Sequence, residues 1–181
     1  MVRTQVGTTE TAGSQPAVQE AKRPVTALAG PYGHPFHPIL VTVPIGAWVV
    51  AFIFDLISRT SNEPYVYARG ASWLIMLGII GALLAAIFGF LDLLAIPAKT
   101  RAQRTGLIHM TLNLIVVALE AIGFAARRGE LHDPAGTPVG LIILAGVALA
   151  LLAASGWLGG KLAYRYGVRV VDEATQAEGY R

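Results

Sequence analysis

The chain contains no cysteine. That excludes disulfides, thiolate haem ligation, cysteine-held iron–sulfur clusters and c-type haem attachment. It says nothing of compartment, since a cysteine-free chain is allowed in any. Charge is scarce as well: 14% of the 181 residues are Asp, Glu, Lys or Arg, against about a quarter in a soluble domain. So few charges do not make an ordinary water-solvated surface. The net charge of +3 carries meaning through its placement, and no nucleic-acid partner is expected from it. No serine or threonine stands as a nucleophile beside a histidine, so a hydrolase is the least expected class and no catalytic activity of the chain's own is expected. No internal repeat is visible.

What is abundant is apolar: 54% of the residues are hydrophobic, gathered in four runs at about 38–57, 70–96, 106–126 and 139–162. Each reaches roughly the 20 residues that cross a bilayer as a helix. The expected architecture is an all-α, four-helix transmembrane bundle within residues 31–166. It is preceded by a disordered tail at 1–30, with no signal-peptide core, and followed by a short tail at 167–181. Pro38 suits a first helical turn and Pro44 predicts a kink. Four crossings put both ends on one side. Lys22, Arg23, Lys99, Arg101, Arg104, Lys161, Arg165 and Arg169 fall there, against Arg59, Arg69, Arg127 and Arg128 opposite. The basic excess predicts both ends in the cytoplasm. Tyr65, Tyr67 and Trp73 would form an outer aromatic belt, and Trp157, Tyr164 and Tyr166 an inner one.

Polar residues inside such runs need a reason. On the third run His109, Asn113, Glu120 and Arg127 fall within roughly 40° of one line at helical spacing. On the first, His37, Pro44, Trp48 and Asp55 form a similar line. On the second, Asp92 shares a face with Gly78, Gly81 and Ala85, a small-residue face that admits a neighbour or a flat cofactor. Gly156 and Gly160 read as packing. By depth, His34, His37, Asp92 and His109 gather near the inner ends of their helices, while Asp55 and Glu120 lie near the outer ends. His132 reads as a solvated loop residue.

Several readings of the inner group follow. His37 and His109 would serve as axial ligands of a b-type haem, with Arg101 or Arg104 on its propionates. His34, His37, His109 and Asp92 would instead make a mononuclear zinc or iron site; a quinone pocket is a further possibility. Alternatively the imidazoles bond backbone carbonyls and Asp92 caps a helix or pairs with an arginine. At the outer end Asp55 is expected to cap a helix or face Arg59, and Glu120 to be protonated or paired with Asn113, Trp48 or Arg127. As whole functions these give a small electron-transfer-associated subunit, a non-catalytic scaffold of a larger complex, or a proton or ion path along His109, Asn113, Glu120 and Asp55. The lipid bilayer and other membrane subunits, or a second copy, are the expected partners.

His34-Pro35-Phe36-His37-Pro38-Ile39, Pro44-Ile45-Gly46, Asp55, Gly89-Phe90-Leu91-Asp92, His109 with Asn113, and Gly156-Trp157-Leu158-Gly159-Gly160 through Tyr164 and Gly167 resemble the bacterial membrane family named domain of unknown function 2231. The likeness covers about residues 33–170. It implies four spans in a bacterial inner membrane. Because some relatives carry a fused Rieske-type domain, it also implies a setting near electron transfer.

Overall fold

The computed structural model describes residues 14–127 and 136–181. The expectations for residues 1–13, Arg128 and His132 lie outside them. Four helices are long and apolar enough to cross a membrane: His37–Ser58, Pro64–Leu94, Arg101–Ala126 and Val139–Arg165. The first span is two pieces, α2 (His37–Leu40) and α3 (Thr42–Ser58). The break falls at Val41. Pro44 has no N–H to give the carbonyl of Leu40 four residues back, and its ring presses on that carbonyl. The helix is therefore interrupted one turn ahead of the proline.

The other three helices begin or end beyond their apolar runs. Helix α4 (Pro64–Leu94) starts on Pro64 at its first turn, a position that needs no N–H, and its opening turn is tied by Arg69 to the Tyr65 hydroxyl at 2.7 Å. Helix α5 (Arg101–Ala126) starts five residues before the apolar run. Thr100 Oγ1 accepts from the Gln103 N–H at 3.1 Å while Gln103 Oε1 accepts from the Lys99 N–H at 2.8 Å, a reciprocal cap. Helix α6 (Val139–Gly160) runs on into a π-helical turn over Lys161–Arg165. Hydropathy marks where lipid begins; caps mark where helices begin.

The helices pack as two hairpins, α3 on α4 and α5 on α6. Between them lies a middle layer of Trp48, Ala51, Ala71, Ile75, Val116 and Ala148. Large apolar side chains such as Leu77, Leu83, Ile87, Ile122 and Ile143 point outward, the reverse of a soluble bundle and what lipid contact requires. Trp73, Trp157 and Tyr164 are exposed toward the helix ends, where aromatic belts sit.

The tails depart from expectation. Residues 14–30 are a folded segment. Helix α1 (Ser14–Lys22) buries Ala21 against Ile96 and Val168. The Arg169 N–H donates to Ala21 O at 3.0 Å, its guanidinium donates to Ala29 O and Gly30 O, and Lys22 Nζ donates to Val171 O. Tyr32 and Asp172 bond each other through the Tyr32 hydroxyl. The segment looks disordered in sequence because its partners stand about 140 residues away. The two tails thus clasp over one end of the bundle, the tail end; the opposite end is the loop end.

Candidate functional site

At the tail end His37 opens α2 and its ring lies on Gly89, where an added Cβ would stand 2.8 Å from Cε1. Its Nδ1 is 2.9 Å from Ala85 O. A carbonyl only accepts, so Nδ1 carries the proton and Nε2 keeps its lone pair. His109 on α5 repeats the arrangement against α6. Its Nδ1 is 2.8 Å from Ser155 O, and its ring lies on Gly159, whose added Cβ would stand 3.2 Å from Cε1. Each hairpin therefore pins one imidazole to its own backbone. Across the seam the two ring centroids are 6.3 Å apart, with planes at 88°. Asn113 Nδ2 lies 3.2 Å from His109 Nε2 and also donates to His109 O at 3.0 Å.

The remaining inner candidates do not join this pair. His34, Arg101 and Arg104 are exposed. Asp92 is held in an ion pair with Arg169, Nε to Oδ1 at 2.7 Å, a close contact without hydrogen-bond alignment. Among the described residues no three His, Asp or Glu side chains gather at metal-ligand spacing. The small-residue face of α4 is filled by the first span: Gly78 meets Trp48, Gly81 meets Val43 and Pro44, and Gly89 meets His37. It is a helix–helix contact. On α6, Gly159 does the packing, while Gly156 has nothing within 4 Å of an added Cβ.

Ser155 is a serine beside a histidine, which sequence reasoning did not find. Its Oγ is 2.9 Å from His109 Nδ1. The side chain is fully buried and its hydroxyl donates to His109 O at 3.2 Å. It joins α6 to α5 and presents no free oxygen to a substrate.

At the loop end the Asp55 carboxylate is bonded from α5 and from the segment that leads into α6. Arg127 grips it with two bonds, NH1 to Oδ1 at 2.7 Å and NH2 to Oδ2 at 2.6 Å. The Thr137 hydroxyl adds a third at 2.8 Å. Ser58 completes the knot, donating to Asp55 O and accepting from the Thr137 N–H. Gly136, at φ +77°, turns the chain so tightly over Ser58 that a side chain there would strike the Ser58 carbonyl. Glu120 is 4% exposed and lies within electrostatic reach of Arg127 and Asp55. Asn113 is engaged with His109, and Trp48 donates to Ile75 O at 3.3 Å. Val116, 1% exposed, separates Asn113 from Glu120. The polar line on α5 is thus two clusters parted by an apolar layer.

Four apolar helices that turn hydrocarbon outward and pair their polar groups inward define an integral membrane protein of the four-helix-bundle class. Within that class, the chain belongs to the family described as "Predicted membrane protein (DUF2231)", whose model matches residues 33–172. The matched stretch takes in all four spans, both histidines, Asp92 and Arg169. No curated protein and no solved structure matches the chain.

Proposed function

We propose that the chain is a membrane subunit associated with electron transfer that holds one b-type haem between His37 and His109. The observation that carries this reading is the relation of the two rings. A metal bound by two imidazoles sits about 2 Å from each nitrogen, and each ring centre lies roughly another 1 Å behind. That places the centroids about 6–6.5 Å apart, and those of His37 and His109 are 6.3 Å apart. Both Nδ1 atoms face backbone carbonyls, the outer contact that fixes the tautomer and aim of a metal-binding histidine. Asn113 can release Nε2 and keep its bond to the His109 carbonyl.

The donor set favours haem over a bare ion. A structural zinc takes four protein ligands, and the described residues offer two. Haem iron brings its equatorial nitrogens with it and needs only axial ligands from the chain; when bound, the group would supply one-electron redox chemistry. The chain's own part is to orient the imidazoles and exclude water.

A second reading, a non-catalytic assembly subunit, is favoured by the completeness of the internal pairing: each imidazole already has a carbonyl, and perpendicular rings at this distance are also an ordinary aromatic contact. The two separate on a visible spectrum of the protein purified in detergent from cells supplied with haem precursor. The haem reading expects a bound haem whose reduced-minus-oxidised spectrum is six-coordinate, lost in His37→Ala and in His109→Ala. A colourless, folded protein, or a haem that survives both substitutions, overturns it.

A further inference from the structure

Among the described residues, the loop end holds two buried carboxyls and one buried guanidinium. Asp55 is fully buried, and Glu120 and Arg127 are each 4% exposed. Among the described residues, few charged groups belong to this space, and Arg59 at the end of α3 is exposed. Helix α3 brings Asp55, and α5 brings Glu120 and Arg127. Helix α6 has no ionisable residue from Val139 to Gly160. On α4 the nearest base is Arg69, which bonds Tyr65 at the rim. Both terminal nitrogens of Arg127 are committed to Asp55, and its positive charge is balanced there. Glu120 is then surplus. A second, unbalanced negative charge in a dry membrane interior costs more than keeping a carboxyl neutral.

A separate observation concerns Arg127 Nε. It is buried and, among the described residues, has no hydrogen-bond partner. Buried N–H groups are nearly always satisfied, and an orphan asks for an acceptor. Glu120 stands two turns earlier on the same face of α5, on the side toward which a helical side chain leans. Among the described residues, the carboxyl placed along α5 to complete Arg127 is that of Glu120.

We infer that Glu120 is a proton-binding site at the loop end of the bundle, loaded when Arg127 holds Asp55 alone and unloaded when Arg127 bridges Asp55 and Glu120. On unloading, the Glu120 O–H bond breaks and the proton passes to water at the loop end. The carboxylate left behind accepts the Arg127 Nε–H. The layer of Trp48, Ile75 and Val116 closes the way to the histidine pair. The site therefore exchanges with one side only, which distinguishes it from a path through the membrane. This inference stands independently of any haem.

Infrared spectroscopy of the protein in liposomes tests it. Glu120 is the sole glutamate within the four spans. At neutral pH the wild type is expected to show a protonated-carboxyl stretch that shifts on ¹³C-glutamate labelling and is lost in Glu120→Gln. Because Gln is the neutral isostere, that variant should melt with the wild type. Absence of the band, or a band that ignores glutamate labelling, overturns the inference. So does a Glu120→Gln variant that fails to fold while labelled wild type shows no band, which marks a permanent ion pair with Arg127.

Discussion

At the scale of single residues, Asp55 and Arg127 form a buried bidentate ion pair. Both are taken out of water, and the bidentate geometry with the Thr137 hydroxyl meets most of their bonding capacity. Such a pair adds little net stability relative to well-packed apolar residues, but removing one partner strands the other. Arg127→Met is therefore expected to cost about 3–5 kcal/mol. The double change Asp55→Leu with Arg127→Met should cost clearly less than Arg127→Met alone. Unfolding titrations in mixed micelles measure both, and equal costs would mean the pair is not desolvated as described. A second residue-scale expectation concerns Asp172. Bonds from the Thr175 N–H and the Tyr32 hydroxyl hold its carboxyl below the ordinary carboxylate range. The contribution is full above that range and is lost as pH falls through the folded value. Hydrogen exchange over residues 170–181, corrected for intrinsic rate, should accelerate only below about pH 4, whereas Asp172→Asn should show the faster rate at neutral pH.

At the scale of elements, the two hairpins are held by glycines that carry side chains of the neighbouring helix. Gly78 lies so close under the Trp48 ring that a methyl group would displace it and break its bond to Ile75 O. Gly78→Ala should cost about 1–3 kcal/mol, the range for overpacking a tight contact. Gly156→Ala, where nothing stands within 4 Å, should be neutral or gain up to about 1 kcal/mol of helix propensity. The same titrations rank the two; a reversed order would place the helices differently. These contacts also show what sequence could reveal. The small face of α4 was legible as a place of close approach, and the four spans were legible from hydropathy. Which side chain would fill the face was not. Gly156 and Gly160 fit a familiar packing spacing, yet Gly159 meets His109, because rotation of α6 is set by the Ser155–His109 bonds and not by the spacing of its glycines.

At the scale of the whole molecule, the termini and the histidines belong together. Arg169 reaches back to Ala29, Gly30 and Asp92, and Asp92 stands one turn beyond Gly89, on which His37 rests. The sequence placed His37, His109 and Asp92 at one depth because depth follows from position along a helix. It could not pair Asp92 with Arg169, since nothing local to residue 169 marks an arginine that folds back into the bundle at φ +60°. The Asp92–Arg169 pair engages the carboxylate that a four-ligand reading of the inner cluster calls on.

The central proposal is that His37 and His109, with ring planes at 88°, hold one iron between them. Electron paramagnetic resonance of the oxidised, purified protein tests it most directly, because the low-spin ferric signal reports the angle between axial imidazoles. The account predicts one low-spin centre per chain with the strongly anisotropic, large-g signal of perpendicular ligand planes. A high-spin signal, a rhombic signal of parallel planes, or no iron at all would contradict it.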